Sequence, residues 1–110
     1  MNFNAINPRD IVLIDFPYED DPRQSKIRPA VVISKDNNSL EILIIKITSH
    51  PSRTEYDYQI VEWVKANLKV PSTARCNKSL VILPSQIIRK IGMLEMSDFQ
   101  AVLQILTYSE

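Results

Sequence analysis

The sequence predicts a mainly β fold with small α content: a small, strongly bent β-barrel or sandwich carrying one C-terminal helix. Three observations carry that expectation. Short apolar runs recur along the chain, and proline or Asn/Asp turn residues punctuate them. A helical apolar stripe stands only near the end. The 110 residues form one domain, 1–110, large enough for a hydrophobic core without covalent staples.

Asp10 to Phe16 reads DIVLIDF, a strand with Ile11, Leu13 and Asp15 on one face and Val12, Ile14 and Phe16 on the other. Pro17 stops it. Residues 17–28, PYEDDPRQSKIR, read as a polar loop longer than a tight hairpin needs. The next strand is expected from Ala30 to Ser34, with Asp36-Asn37-Asn38 as the following turn. Leu40 to Ile47, LEILIIKI, is the strongest strand signal and is expected to be central, forming an antiparallel hairpin with its predecessor. Thr48-Ser49 end it, and Pro51 lies just beyond.

A short strand is expected near Tyr58 to Val61, then a helical turn from Glu62 to Asn67. Asparagine tolerates the left-handed conformation that ends such a turn. Val70 to Cys76 and Leu80 to Leu83 read as two further short strands. Arg89 to Leu94 is another, and Gly92, the only glycine, marks a bulge or a close backbone approach within it. The last element is a helix from Asp98 to Leu106. Ser97 is its expected N-cap with Gln100 completing a capping box, and Phe99, Val102, Leu103 and Leu106 form its apolar stripe.

Composition narrows the function. The hydrophobic fraction of 45% and the charged fraction of 24% suit a globular protein. No apolar run approaches the roughly 20 residues of a membrane span, and MNFNAINPRD lacks the regions of a signal peptide. A cytoplasmic protein is therefore expected. The single Cys76 excludes an internal disulfide and reads as a small core residue. One histidine and one cysteine leave no zinc motif, and a single glycine leaves no Gly-rich phosphate cradle. Glu19-Asp20-Asp21 lacks the alternating spacing of a calcium loop and reads as solvated charge. Neither a metal nor a cofactor is expected.

The formal net charge is zero, so any polyanion site must be a local patch. Arg23, Lys26 and Arg28 are expected to share one loop, Arg75 and Lys78 another, and Arg89 and Lys90 precede Gly92. Arg23 and Lys90 read as solvated charges. Arg28 differs, because Pro29 fixes the chain after it and the strand then anchors it. A held guanidinium presents a planar fork matched to phosphate oxygens. His50 follows Thr48-Ser49, and a histidine can transfer protons near neutral pH, although a lone one after a strand is more often a surface or capping residue.

DIVLIDFPY (10–18), KIRPAVVIS (26–34) and IIKITS (44–49) resemble the PemK/MazF family, toxins of type II toxin–antitoxin pairs. The match continues through Trp63, Ala66 and Leu68, then Pro71, Ser72, Arg75 and Lys78, then Ile87 to Leu94. In order and spacing these blocks look like the shorter PemK-like members, and they span nearly the whole chain.

The resemblance implies a compact SH3-like β-barrel with a C-terminal helix and a homodimer. It implies a metal-independent, sequence-selective endoribonuclease acting on single-stranded RNA, and an antitoxin partner whose acidic or apolar tail occupies the RNA groove. It places Arg28 and Thr48 in the active site, with Ser49 beside Thr48; Lys26, Ser49, His50, Arg75 and Lys78 are the candidate RNA-binding residues, His50 by adjacency alone. In cleavage of the family's style the ribose 2′-OH attacks the adjacent phosphate, so the protein supplies mainly charge stabilisation and positioning. Two alternatives stand beside it: a barrel of related shape that binds a protein such as DNA gyrase, and an inactive relative that binds only RNA or antitoxin. A gyrase poison is expected to use an aromatic residue at its extreme C-terminus, and Tyr108, read as a core or edge side chain, is the only one there. The sequence departs from the family at Arg9 and Asn67, where glycine is usual.

Overall fold

In a computed structural model, residues 1–17, 20–21 and 23–108 are described. The strands are β1 (Asp10–Pro17), β2 (Ser25–Lys35), β3 (Ile42–Thr48), β4 (Asp57–Gln59), β5 (Thr73–Ile82) and β6 (Ile87–Met93), followed by helix α1 (Met96–Tyr108). Every strand pairing is antiparallel, and the sheet order is β4–β5–β3–β2–β1–β6. β3 and β2 are therefore central, as the apolar run at 40–47 predicts.

Strand alternation sends successive side chains to opposite faces, and here both faces are buried. Ile11, Val31, Ile45 and Ile47 pack on one face with Ile60, Leu68, Leu94, Phe99 and Val102. Val12, Ile14, Ala30, Val32, Ile42 and Ile44 pack on the other with Ile6, Ile82 and Ile87. Ile82 on β5 and Ile87 on β6 come from well-separated places in the sheet order yet share this second cluster. The sheet must curl around it, which gives the barrel-like form while leaving β4 and β6 unpaired with each other. Cys76 is buried in the first cluster, the core role its lone occurrence suggests.

Buried Asp98 fastens α1 to the sheet. Its carboxylate accepts hydrogen bonds from the Tyr58 hydroxyl (2.5 Å), the Val61 N–H (3.1 Å) and the Glu62 N–H (2.9 Å). The only glycine does what its position suggests: a Cβ on Gly92 would lie 2.0 Å from the Ala66 carbonyl oxygen. Asn67 ends its turn at φ 66°, and Arg9 has φ 80°. Both departures from the family's glycines are thus left-handed positions, each tied down by its own side chain. Arg9 Nε donates to the Leu94 carbonyl at 2.9 Å, and Asn67 Nδ2 donates to the Ile91 carbonyl at 2.6 Å.

Several expectations are corrected. The polar loop ends at Gln24, because β2 begins at Ser25 and pairs Lys26, Ile27 and Arg28 with Phe16, Asp15 and Ile14. Pro29 is tolerated inside this strand because pairing with β3 starts only at Ala30, so its other edge is open. The two short strands expected between 70 and 83 are one strand, β5. The register against β3 jumps from Ile45↔Ser79 to Lys46↔Arg75, and that bulge imitates a break. Ser97 lies inside α1, which starts at Met96, and Leu103 is exposed. Tyr108 is 88% exposed rather than a core or edge side chain. Arg23 is a surface cation, 3.1 Å from Asp21, whereas Lys90 lies on β6 with its ammonium 3.0 Å from the buried Asp10 carboxylate. Of the acidic run, Glu19 lies outside the described residues.

Candidate functional site

The site grows from the alternation that builds the second core. On β2 the row Val32, Ala30 continues into Arg28 and Lys26; on β3 the row Ile42, Ile44 continues into Lys46 and Thr48. The buried end of each row is aliphatic and the open end cationic or hydroxylic. The ladder between these strands runs Val32↔Ile44, Val31↔Ile45, Ala30↔Lys46 and then stops. Its next rungs would be Pro29↔Ile47 and Arg28↔Thr48. Proline has no N–H to give, so the strands part there and leave a concavity where a ladder would have been.

Arg28, Pro29, Ile47, Thr48 and Ser49 line that concavity, a cavity of about 760 Å³. Leu13, Leu68, Val70 and Ile91 give it an apolar wall, and Asn67, Lys69, Arg89 and Lys90 lie on it too. A second cavity of about 490 Å³ is lined by Lys26, Arg28, Lys46, Arg75 and Lys78, with Phe16, Pro17 and Asp20. Arg28 lines both. The larger cavity has an apolar wall, the smaller is lined mostly by cations, and Arg28 stands on the border.

Six of the seven candidate residues therefore line one cavity or the other. His50 lines neither; it is exposed, and its backbone N–H donates to Thr48 Oγ1 at 3.3 Å. That bond holds the Thr48 hydroxyl oxygen and leaves its O–H as a donor. Arg75 is not a solvated cation, since its Nε lies 3.6 Å from the buried Asp57 carboxylate. Lys46, which sequence reasoning missed, has its ammonium 5.7 Å above the Phe16 ring. A lysine inside the most apolar run, at an inward position, was the available signal.

Among the described residues no three His, Cys, Asp or Glu side chains converge as metal ligands, and no helix is long and apolar enough to cross a membrane.

Among solved structures, an endoribonuclease in complex with its cognate antitoxin from Mycobacterial species superposes with a TM-score of 0.77 at 8% identity, over 96% of this chain and 94% of that one. MazE–MazF from Deinococcus radiodurans gives 0.74 at 14% identity, over 94% of each chain. The Mycobacterium tuberculosis toxin MazF-mt6 gives 0.62 at 16%, over 89% of this chain and 94% of that one. Identities this low carry the fold alone. No curated protein sequence matched. A family model does match: residues 7–109 fit the PemK-like, MazF-like toxin of type II toxin–antitoxin system.

Proposed function

The chain belongs to the PemK-like, MazF-like toxins of type II toxin–antitoxin systems, and on that premise we propose that it is an endoribonuclease cleaving single-stranded RNA between Arg28 and Thr48. The observation that carries this reading is their placement across the end of the β2–β3 ladder, where an apolar-walled cavity meets a cationic one.

RNA supplies its own nucleophile. The ribose 2′-oxygen gives up its proton and bonds to phosphorus, the P–O5′ bond breaks, and the departing 5′-oxygen takes up a proton. The products are a 2′,3′-cyclic phosphate and a 5′-hydroxyl. Negative charge grows on the phosphoryl oxygens during this step, and a pre-placed guanidinium opposes it with charge and a two-pronged fork. An arginine holds its proton too tightly to act as the base. Arg28 is therefore the transition-state stabiliser, and Thr48 donates its O–H to a phosphoryl or 2′ oxygen. Lys26, Lys46, Arg75 and Lys78 hold flanking phosphates, and Ser49 extends the wall beside Thr48. The route calls on no metal.

The solved complexes of similar fold include toxins bound to their antitoxins. We extend that partnership to this chain, with an acidic or apolar antitoxin tail competing for the same two cavities, and assign it a homodimeric, cytoplasmic form. The test is incubation of a long single-stranded RNA with the purified chain in EDTA. Discrete fragments ending in cyclic phosphate and 5′-hydroxyl are expected; intact RNA contradicts the reading.

One observation favours a protein target instead. Tyr108 stands exposed at the end of α1 and lines a small cleft with Glu55, Tyr56 and Ile105. Growth arrest that leaves RNA intact and disappears with Tyr108→Ala would select that reading.

A further inference from the structure

Arg75 occupies a rung with Lys46 on one side and Asp57 on the other, at the centre of β3–β5–β4. The Asp57 side chain is 2% exposed and that of Arg75 27%. Asp57 Oδ2 accepts the Arg53 N–H at 3.0 Å, but Asp57 Oδ1 and Arg75 Nε, 3.6 Å apart, have no hydrogen-bond partner among the described residues. A buried carboxylate needs its counter-charge nearby, so this one tethers the guanidinium by the Nε edge. Among the described residues no hydrogen bond engages the four N–H groups on its terminal nitrogens, and Arg75 lines the smaller cavity with Lys26, Lys46 and Lys78.

Resting on the nuclease reading above, we infer that Asp57 is a positioning residue which holds Arg75 as a fixed fork for the RNA phosphate next to the one cleaved. The three lysines would supply charge without geometry, because an ammonium is a compact point charge on a flexible stem. Arg75, held from behind, supplies the geometry. Its contact is made equally in ground state and transition state, so it sets KM rather than kcat.

Asp57→Asn gives a test in which two explanations have opposite signs. The substitution removes a negative charge close to a polyanion site, and by charge alone RNA should bind more tightly. Positioning demands weaker binding. Steady-state cleavage of one single-stranded RNA is measured for the parent, Asp57→Asn, Arg75→Lys and the double variant, with a melting temperature for each. KM is expected to rise about tenfold in either single variant, the loss of one charge-assisted contact, with kcat within about twofold. The double variant should be no worse than the singles, because Asp57 acts only through Arg75.

A KM that is unchanged or lower in Asp57→Asn, or losses that add in the double variant, would overturn the inference while a cleaving parent keeps the nuclease reading intact. Should Asp57→Asn prove unfolded at the assay temperature, Arg75→Lys, which keeps a charge opposite Asp57, decides alone: an unchanged KM overturns the inference. A folded parent that cleaves no RNA overturns both.

Discussion

Arg28 and Thr48 each lie two residues beyond the last pair of the β2–β3 ladder, Ala30↔Lys46, and both line the larger cavity. Pro29, which has no N–H to donate, sits where the pairing ends and lines the same cavity. Thr48→Val keeps the branched shape that suits a strand end and removes only the hydroxyl. Cleavage by this variant should fall about ten- to a hundredfold in kcat, the scale of one lost transition-state hydrogen bond, with its melting temperature nearly unchanged. A kcat equal to the parent's would remove Thr48 from the chemistry.

Tyr58 gives the fold an alkaline limit. Burial, then the hydrogen bond to Asp98 and that carboxylate's charge, raises its pKa from 10.0 to about 12. The folded chain thus binds this proton more tightly than the unfolded chain. The associated stability is whole below pH 10 and is lost as pH rises to about 12. Tyr58→Phe should cost about 1.5 kcal/mol at neutral pH, a hydrogen bond to a charged group. Denaturant unfolding of the two proteins should show the gap shrinking across that alkaline window. A gap constant with pH would contradict the assignment.

Gly92→Ala tests the close approach of β6 to the 62–67 turn. The new methyl would meet the Ala66 carbonyl, which is backbone and cannot swing aside. Forced repacking of this kind costs about 1–3 kcal/mol, so the melting temperature should drop by several degrees. Asn67 and Ile91, whose hydrogen bond spans this contact, both line the larger cavity, and KM should change with the stability. An unchanged melting temperature would show that the turn has room to retreat.

Near-continuous apolar runs make β1 and β3 legible, because burial on both faces writes hydrophobicity directly into the sequence, and Asp36-Asn37-Asn38 marks the turn between β2 and β3. Asn67 is legible because it answers a local backbone demand, and Gly92 because a lone glycine inside a strand signals a close backbone approach. The sequence starts β2 five residues late because Pro29 and two cations look like loop, and the open edge that tolerates them is a tertiary fact. β5 was split because its bulge has no marker of its own.

The site shows the same division. The pairing of Arg28 with Thr48 came from family resemblance, as no local pattern links residues twenty positions apart. Asp57 was missed because its partner lies across a strand pairing that only the folded sheet creates. His50 was included for adjacency in sequence, and the chain turns it out of both cavities.

The most direct measurement compares the parent with Arg28→Ala on a long single-stranded RNA in EDTA, read as fragment yield against time. Removing a single preorganised stabiliser of developing charge is expected to slow cleavage by about a hundred- to a thousandfold while the variant stays folded. Discrete fragments from the parent, and almost none from the variant over the same period, are the expected result. Equal cleavage by the two proteins would contradict Arg28 as the centre of the site, and RNA left whole by a folded parent that still arrests growth would contradict the nuclease itself.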